Sequence, residues 1–290
     1  MSPWIEAIRL RTLPVSAAGV ITATAYGVLN HNVQWVPAML CLVFALLCQI
    51  ASNFANEYYD YRDGLDRPGR EGPRRGVTEG DISPQAMKRA TYLTLAAAAL
   101  VGLSLVYWGG WWLIAAGIMI FVGALCYSSG PYPLSRHALG EVAVIIFFGL
   151  VPVNLTYFLF DNTFDLSVFY GSVAVGLMAA NILIVNNYRD KDDDLSVGKL
   201  TIANRFGGRT ALTLYLLFGY GSIAFLFPLY LSLPSFCSIA PIIYVVIHTF
   251  LWFNLLRKKG KALNPMLGLT AGNMLLYAFI FLIESALVGR

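Results

Sequence analysis

Apolar residues run along this chain in long unbroken blocks. Six stretches, 12–56, 90–135, 142–160, 166–188, 210–256 and 262–283, contain no Asp, Glu, Lys or Arg. A helix rises about 1.5 Å per residue and a hydrocarbon core is about 30 Å thick, so about 20 apolar residues cross it. The stretches of 45, 46 and 47 residues are each two helices long. Turn signals interrupt them at Asn30-His31-Asn32, at Trp108-Gly109-Gly110-Trp111-Trp112, and between Pro228 and Pro234. Two crossings in each of these and one in each of the others predict nine transmembrane helices, hence an all-α polytopic membrane protein.

Charge then orients the thread. With the N-terminus inside, the inner segments receive 19 of the 20 Lys and Arg residues and leave only Arg290 outside. The outer turns hold Asp161, Asp165 and Glu284 instead. Such a bias places the N-terminus and the charged loops in the cytoplasm, the C-terminus outside, and the protein in the cell (inner or plasma) membrane. Charged residues make up 12% of the chain, about half the usual share for a globular domain. Nine helices and their loops use up the length, so residues 1–290 are expected to form a single transmembrane domain. The net charge of +4 resides in cytoplasmic loops suited to an anionic lipid bilayer and does not argue for nucleic acid. The apolar run after Arg9 and Arg11 is longer than a signal-peptide core and more spans follow, so it reads as a retained first helix. Cys41, Cys48, Cys126 and Cys237 lack metal or disulfide spacing and read as small buried residues.

Two loops, 57–89 and 189–209, hold 23 of the 36 charged residues, and both open the same way. Asn56-Glu57-Tyr58-Tyr59-Asp60 and Asn186-Asn187-Tyr188-Arg189-Asp190 share the pattern N-x-Y-x-D, 130 residues apart. Both copies close helices that cross from outside to inside, as in a pseudo-repeat with motifs at 56–66 and 186–194. Asn56, Asp60 and Asp63 fall at i, i+4 and i+7; Asn186, Asp190 and Asp194 at i, i+4 and i+8, with Asn187 close by. Gly64 is expected to end its helix and let Asp66 fold back toward Asp60. Carboxylates at helix C-termini oppose the macrodipole and repel each other, so positive charge must offset them. Oxygen donors suit Mg²⁺, which is commonly shared between a few carboxylates and a substrate phosphate. Solvated charges that merely stop helices are the bland alternative; the repeated motif argues against it.

Among the cations, Arg75 and Lys199 follow the acidic motifs closely and Arg11 stands at the mouth of the first helix; these are the candidates for holding phosphate. Glu141 at the start of the fifth helix suits the dipole there, so a structural and a functional role both stay open. His31, His137 and His248 are far apart, and no nucleophile motif is present. Two acidic clusters with basic neighbours over an aromatic-rich bundle, with 18 Phe, 16 Tyr and 6 Trp, fit a diphosphate head and a hydrocarbon tail. A cation-coupled transporter would also combine acids with internal repeats, but the spans carry no midplane charge.

The residues also carry a resemblance. R-x-R-T-L-P at 9–14, A-N-E-Y-Y-D-Y-R-D-G-L-D at 55–66, G-P-R-R-G-V at 72–77, L-G-E at 139–141 and N-N-Y-R-D…G-K-x-T at 186–201 resemble the motif set of the UbiA superfamily of intramembrane prenyltransferases. The branch most similar acts on 1,4-dihydroxy-2-naphthoate in menaquinone synthesis; sister branches use 4-hydroxybenzoate, haem or a chlorophyllide. The resemblance implies nine helices around a central cavity with two cytoplasmic cap loops. It implies a Mg²⁺-dependent transfer from a polyprenyl diphosphate to 1,4-dihydroxy-2-naphthoate, with loss of diphosphate and CO₂, giving demethylmenaquinone. Asn56, Asp60, Asp66, Asn187, Asp190 and Asp194 would form the metal set, with Asp60 and Asp190 central to catalysis. Arg11, Arg75 and Lys199 would steady the diphosphate. Tyr127 and Asn186 would line the isoprenoid or acceptor pocket, Asn186 standing where some members have Tyr. Asp63 and Glu141 are left without an assigned role.

Overall fold

The computed structural model describes residues 2–69 and 71–289. The expectation that Arg290 lies outside, and anything resting on Arg70, falls outside the described residues. Within them the chain is helical, with no strand.

A short helix α1 (Pro3–Ile8) precedes α2 (Leu13–Leu29), α3 (Trp35–Arg62), α4 (Pro84–Gly109) and α5 (Trp112–Cys126). Then α6 (Gly140–Val144) runs through a π-helical turn, Ile145–Leu150, into α7 (Val151–Asp161), making one rod. Next come α8 (Leu166–Arg189), two short helices α9 (Lys191–Ser196) and α10 (Ile202–Arg205), and α11 (Gly208–Ser232), α12 (Ile239–Arg257) and α13 (Asn264–Val288). Among the described residues, seven helices are long and apolar enough to cross a membrane, and Leu13–Leu29 and Trp112–Cys126 are shorter apolar helices in two further predicted stretches.

Local chemistry explains the boundaries. Ser83 accepts the amide of Ala86 ahead of Pro84, and the Asp165 carboxylate accepts the amides of Ser167 and Val168 to start α8. One expected turn narrows to the end of its range: Pro228 lies inside α11, which continues to Ser232, and the chain turns at Leu233-Pro234. A proline within a membrane helix is tolerated where neighbouring helices and local adjustment satisfy the freed carbonyl. The π-turn comes just before Pro152, which has no amide to return to Phe148. At this turn Gly149 meets α8: a Cβ there would overlap the backbone of Gly176 and the carbonyl of Ser172. Small residues let the two backbones touch, as apolar packing in lipid requires.

The most buried rod is α8, the centre of the bundle, with Ala174, Met178, Ala179 and Ala180 in the main core beside Tyr26, Tyr277 and Phe281. With 28 residues, α3 is about 42 Å long, more than a hydrocarbon core. Its last turns, from Asn56 onward, therefore project at one end of the bundle. Gly64 then takes φ 71° and the Leu65 amide bonds back to the Asp60 carbonyl at 2.8 Å, reversing the chain toward Asp66.

Candidate active site

The charged loops meet over that end of the bundle. The Glu71 amide donates to the Asp193 carboxylate at 3.0 Å, and the Asn264 amide group reaches the Glu71 carbonyl. A single bridge ties the loop after α5 to the loop after α9: the Ala138 amide donates to the Leu200 carbonyl at 2.9 Å and the Leu200 amide to the Arg136 carbonyl at 3.2 Å. Between the motifs lies a cavity of about 150 Å³, lined by Asp60, Asp66 and Arg67 from one side and by Asp193, Asp194 and Lys199 from the other.

Each predicted residue has a definite place. Asp60 is buried, 3.6 Å from Arg136, and its Oδ1 has no hydrogen bond among the described residues. Asp66 lies 3.4 Å from the Arg75 Nε, and Lys199 Nζ lies 3.2 Å from Asp194. The Asn56 Oδ1 accepts from Arg9 at 2.7 Å and from Arg75 at 3.0 Å, while its amide donates to Ser128 at 3.0 Å. Asn187 donates to the buried Glu141 at 2.9 Å. Asp190 receives two hydrogen bonds of 2.7 Å from Arg189, which also donates to Asn186 at 2.8 Å and to Asn264 at 2.9 Å. Asp63 faces outward, paired with Arg62 and Arg136 at 2.7 Å each. The hydrogen bond from Arg62, reinforced by Arg136, holds its carboxyl below the usual carboxylate range.

The structure thus brings Asp60, Asp66, Asp194 and Lys199 to one cavity and leaves Asn56, Asn187 and Asp190 outside its lining, in hydrogen bonds to Arg9, Arg75, Ser128, Glu141 and Arg189. The expected i, i+4, i+8 register of Asn186, Asp190 and Asp194 is broken, because α8 stops at Arg189 and a new helix starts at Lys191. The paired motif copies end differently: α3 continues through Asp60 to Arg62, whereas Asp190 is itself the cap of α8. Arg11 is exposed, and Arg9 takes the position against Asn56. Arg9 closes α1 with φ 56°, and this left-handed residue turns the chain between α1 and α2. The arginines Arg9, Arg136 and Arg189, together with Ser128 and Glu57, are absent from the set read out of the sequence. Glu57 is buried and accepts the Val77 amide at 3.1 Å, which pins the loop bearing Arg75. The signal for Arg189 was its place inside the motif, next to Asp190.

Tyr127 closes α5 and lines a second, largely apolar cavity of about 270 Å³ between α2, α3, α4, α5 and the α6–α7 rod. The next residue, Ser128, bonds Asn56, so the apolar cavity ends within one residue of the polar wall.

Fold and site together define a polytopic helical membrane protein that sets facing carboxylates and basic side chains above a greasy chamber. The chain belongs to the UbiA prenyltransferase family, which it matches over residues 13–280. It is 35% identical over 212 residues to the 1,4-dihydroxy-2-naphthoate octaprenyltransferase of Haemophilus influenzae, covering 70% of this chain and 69% of that one. It is 36% identical over 213 residues to the enzyme of that name in Escherichia coli K12, covering 70% and 68%. A UbiA homologue from Archaeoglobus fulgidus, solved with DMAPP and Mg²⁺, has the same fold, with a TM-score of 0.68 at 16% identity over 97% of this chain and 99% of that one.

Proposed function

We propose that this enzyme transfers a polyprenyl group from an allylic polyprenyl diphosphate to 1,4-dihydroxy-2-naphthoate. The carrying observation is the juxtaposition of the cavity between Asp60, Asp66, Asp194 and Lys199 with an apolar chamber that ends at Tyr127. One holds a charged head and the other a hydrocarbon tail. The names of the bacterial relatives, at 35% and 36% identity, support the acceptor.

The residues fit a metal shared with phosphate. The donors are carboxylate oxygens, Asp60 Oδ1 has no hydrogen bond among the described residues, and no three acidic, His or Cys side chains there converge closely enough to hold an ion alone. Mg²⁺ commonly takes only one or two carboxylates and completes its shell from phosphates and water. Asp60, Asp66 and Asp194, one or two to an ion, would hold it together with the phosphate. When bound it would neutralise charge on the departing diphosphate.

The chain's own groups do the rest. Lys199 and Arg75 bind phosphate oxygens, Arg75 being held in place by Asn56 and Asp66. Arg189 fixes Asp190 and the end of α8, and Asn187 fixes Glu141. The C1–O bond of the allylic diphosphate breaks, and a ring carbon of the naphthoate forms the new bond to C1. The carboxylate then leaves as CO₂, giving demethylmenaquinol, the reduced form of demethylmenaquinone, with no oxidant required. The Tyr127 ring at the chamber mouth faces the developing allylic cation and excludes water from it.

In this reading the whole chain is one domain with a pseudo-repeat. Nine helices cross the cell membrane, α2 and α5 being the short ones, with the N-terminus and the two capping loops in the cytoplasm and the C-terminus outside, as the charge asymmetry favours. Purified protein in membranes, given labelled polyprenyl diphosphate and a panel of aromatic acceptors, tests the assignment. Mass spectrometry should find the decarboxylated prenyl naphthoquinol. Prenylation of 4-hydroxybenzoate but not of the naphthoate would overturn it.

A further inference from the structure

A ladder of polar side chains descends one face of α3, from the acidic site into the apolar chamber. Gln49, Asn53, Asn56 and Asp60 lie at i, i+4, i+7 and i+11. Opposite them stand Arg9, Thr12 and Ser16. Gln49 lies seven residues from Asn56, about 10 Å along the helix axis, and Ser16 and Gln49 both line the chamber.

The orientation of the Gln49 amide follows from its neighbours. Thr12 gives its only hydroxyl hydrogen to the Arg9 carbonyl at 2.9 Å, so its oxygen can only accept. Asn53 donates through Nδ2 to the Ile8 carbonyl at 2.8 Å, which turns its Oδ1 toward Gln49. Both neighbours therefore demand donors, and the Gln49 Nε2 supplies them at 3.2 Å to Thr12 and 3.1 Å to Asn53. Its N–H groups are spent inside the ladder. The Oε1 is left to the other side, where Ser16 donates to it at 3.3 Å. A carbonyl oxygen has two acceptor positions, so one remains available at the chamber wall.

We propose that Gln49, steadied by Ser16, is a specificity-determining residue that accepts a hydrogen bond from a ring hydroxyl of the aromatic acceptor. The inference rests on the prenyl-transfer reading above. An acceptor standing between Gln49 and Asn56 would have its ring beside the diphosphate site and its hydroxyl anchored in the greasy part of the chamber. A buried acceptor atom discriminates well, because an arene without the hydroxyl leaves it unpaired.

The test is direct binding, read by quenching of naphthoate fluorescence, of 1,4-dihydroxy-2-naphthoate and of the 1-hydroxy and 4-hydroxy analogues, each of which lacks one hydroxyl. The wild-type protein should bind one of the two analogues about tenfold more weakly than the diol, the loss expected for one unmade hydrogen bond. In Gln49→Met, which keeps the length but loses the amide, that difference should shrink to within twofold. KM for the prenyl diphosphate should stay within twofold of wild type. Equal binding of all three compounds by the wild-type protein would overturn the proposal even if no variant folds. So would discrimination unchanged in Gln49→Met, or an equal rise in KM for both substrates, which marks a purely structural ladder. If the protein binds the diol but yields no prenylated product, the reaction assignment has failed and the hydroxyl subsite is still judged on the binding data.

Discussion

The guanidinium of Arg9 donates to the Asn56 side chain at 2.7 Å across 47 residues of sequence, while Arg11, two residues on, is exposed. Asn56 is buried and spends its carbonyl on Arg9 and Arg75. Removing a charged partner from a buried acceptor costs about 1.5–3 kcal/mol. Arg9→Ala should therefore lower kcat/KM by about 10- to 100-fold, and Arg11→Ala by less than about threefold. Steady-state assays at matched expression check this, and the reverse ranking would support the phosphate-holding role expected of Arg11.

Both motifs, and the end of the bundle they occupy, were legible in the sequence. Apolar blocks and charge asymmetry depend only on length and composition, which any bilayer reads in the same way. What could not be read was the wiring. Asn56, Asp60 and Asp63 share a helical face as the spacing predicts, but nothing in that spacing shows that Arg136, 73 residues beyond Asp63, meets both carboxylates. Likewise the break between α8 and α9 at Asp190 has no periodic signature, and neither has the reach of Arg189 to Asn264, 75 residues away. The sequence reading supplied the offsetting positive charge mainly as metal. In the structure arginines carry much of it.

Removal of divalent metal should still stop the reaction. Asp60, Asp66 and Asp194 face one cavity, and a diphosphate entering it brings further negative charge. Membranes treated with EDTA should lose prenyl transfer and regain it with Mg²⁺. Full turnover in chelator would remove metal from the site.

Asp63 should show its effect on stability rather than catalysis. Its folded-state carboxyl is held low by Arg62 and then Arg136, so the stabilisation is present above the ordinary value of 3.8 and is lost as pH falls through the lower folded value. Both pairings are solvent-accessible, which limits the effect to under about 1 kcal/mol. Thermal melts should find Asp63→Asn slightly less stable than wild type at pH 7, with the difference gone once the carboxyl is protonated in both states. A deficit that persists in acid would have to come from another contact.

Asp60 and Asp190 occupy matching positions in the two motifs, but their surroundings predict different failures. Asp60 lines the cavity, and its Oδ1 has no hydrogen bond among the described residues and lies 3.6 Å from Arg136. Asp60→Asn should abolish turnover and leave the melting temperature within a few degrees of wild type. Asp190 is gripped by Nε and Nη2 of a buried Arg189, whose loss of a charged partner costs about 3–5 kcal/mol. Asp190→Asn should lose turnover together with several degrees of melting temperature. Arg189→Met in the same chain should recover part of the stability, since it removes the stranded charge, but no activity. The double variant Asp60→Asn with Asp190→Asn should turn over no more slowly than the worse single, because residues acting as one unit are non-additive. If Asp190→Asn melts like wild type, the arginine fork is not holding the end of α8, and its carboxylate would belong with Asp60 as a group that works only on the substrate.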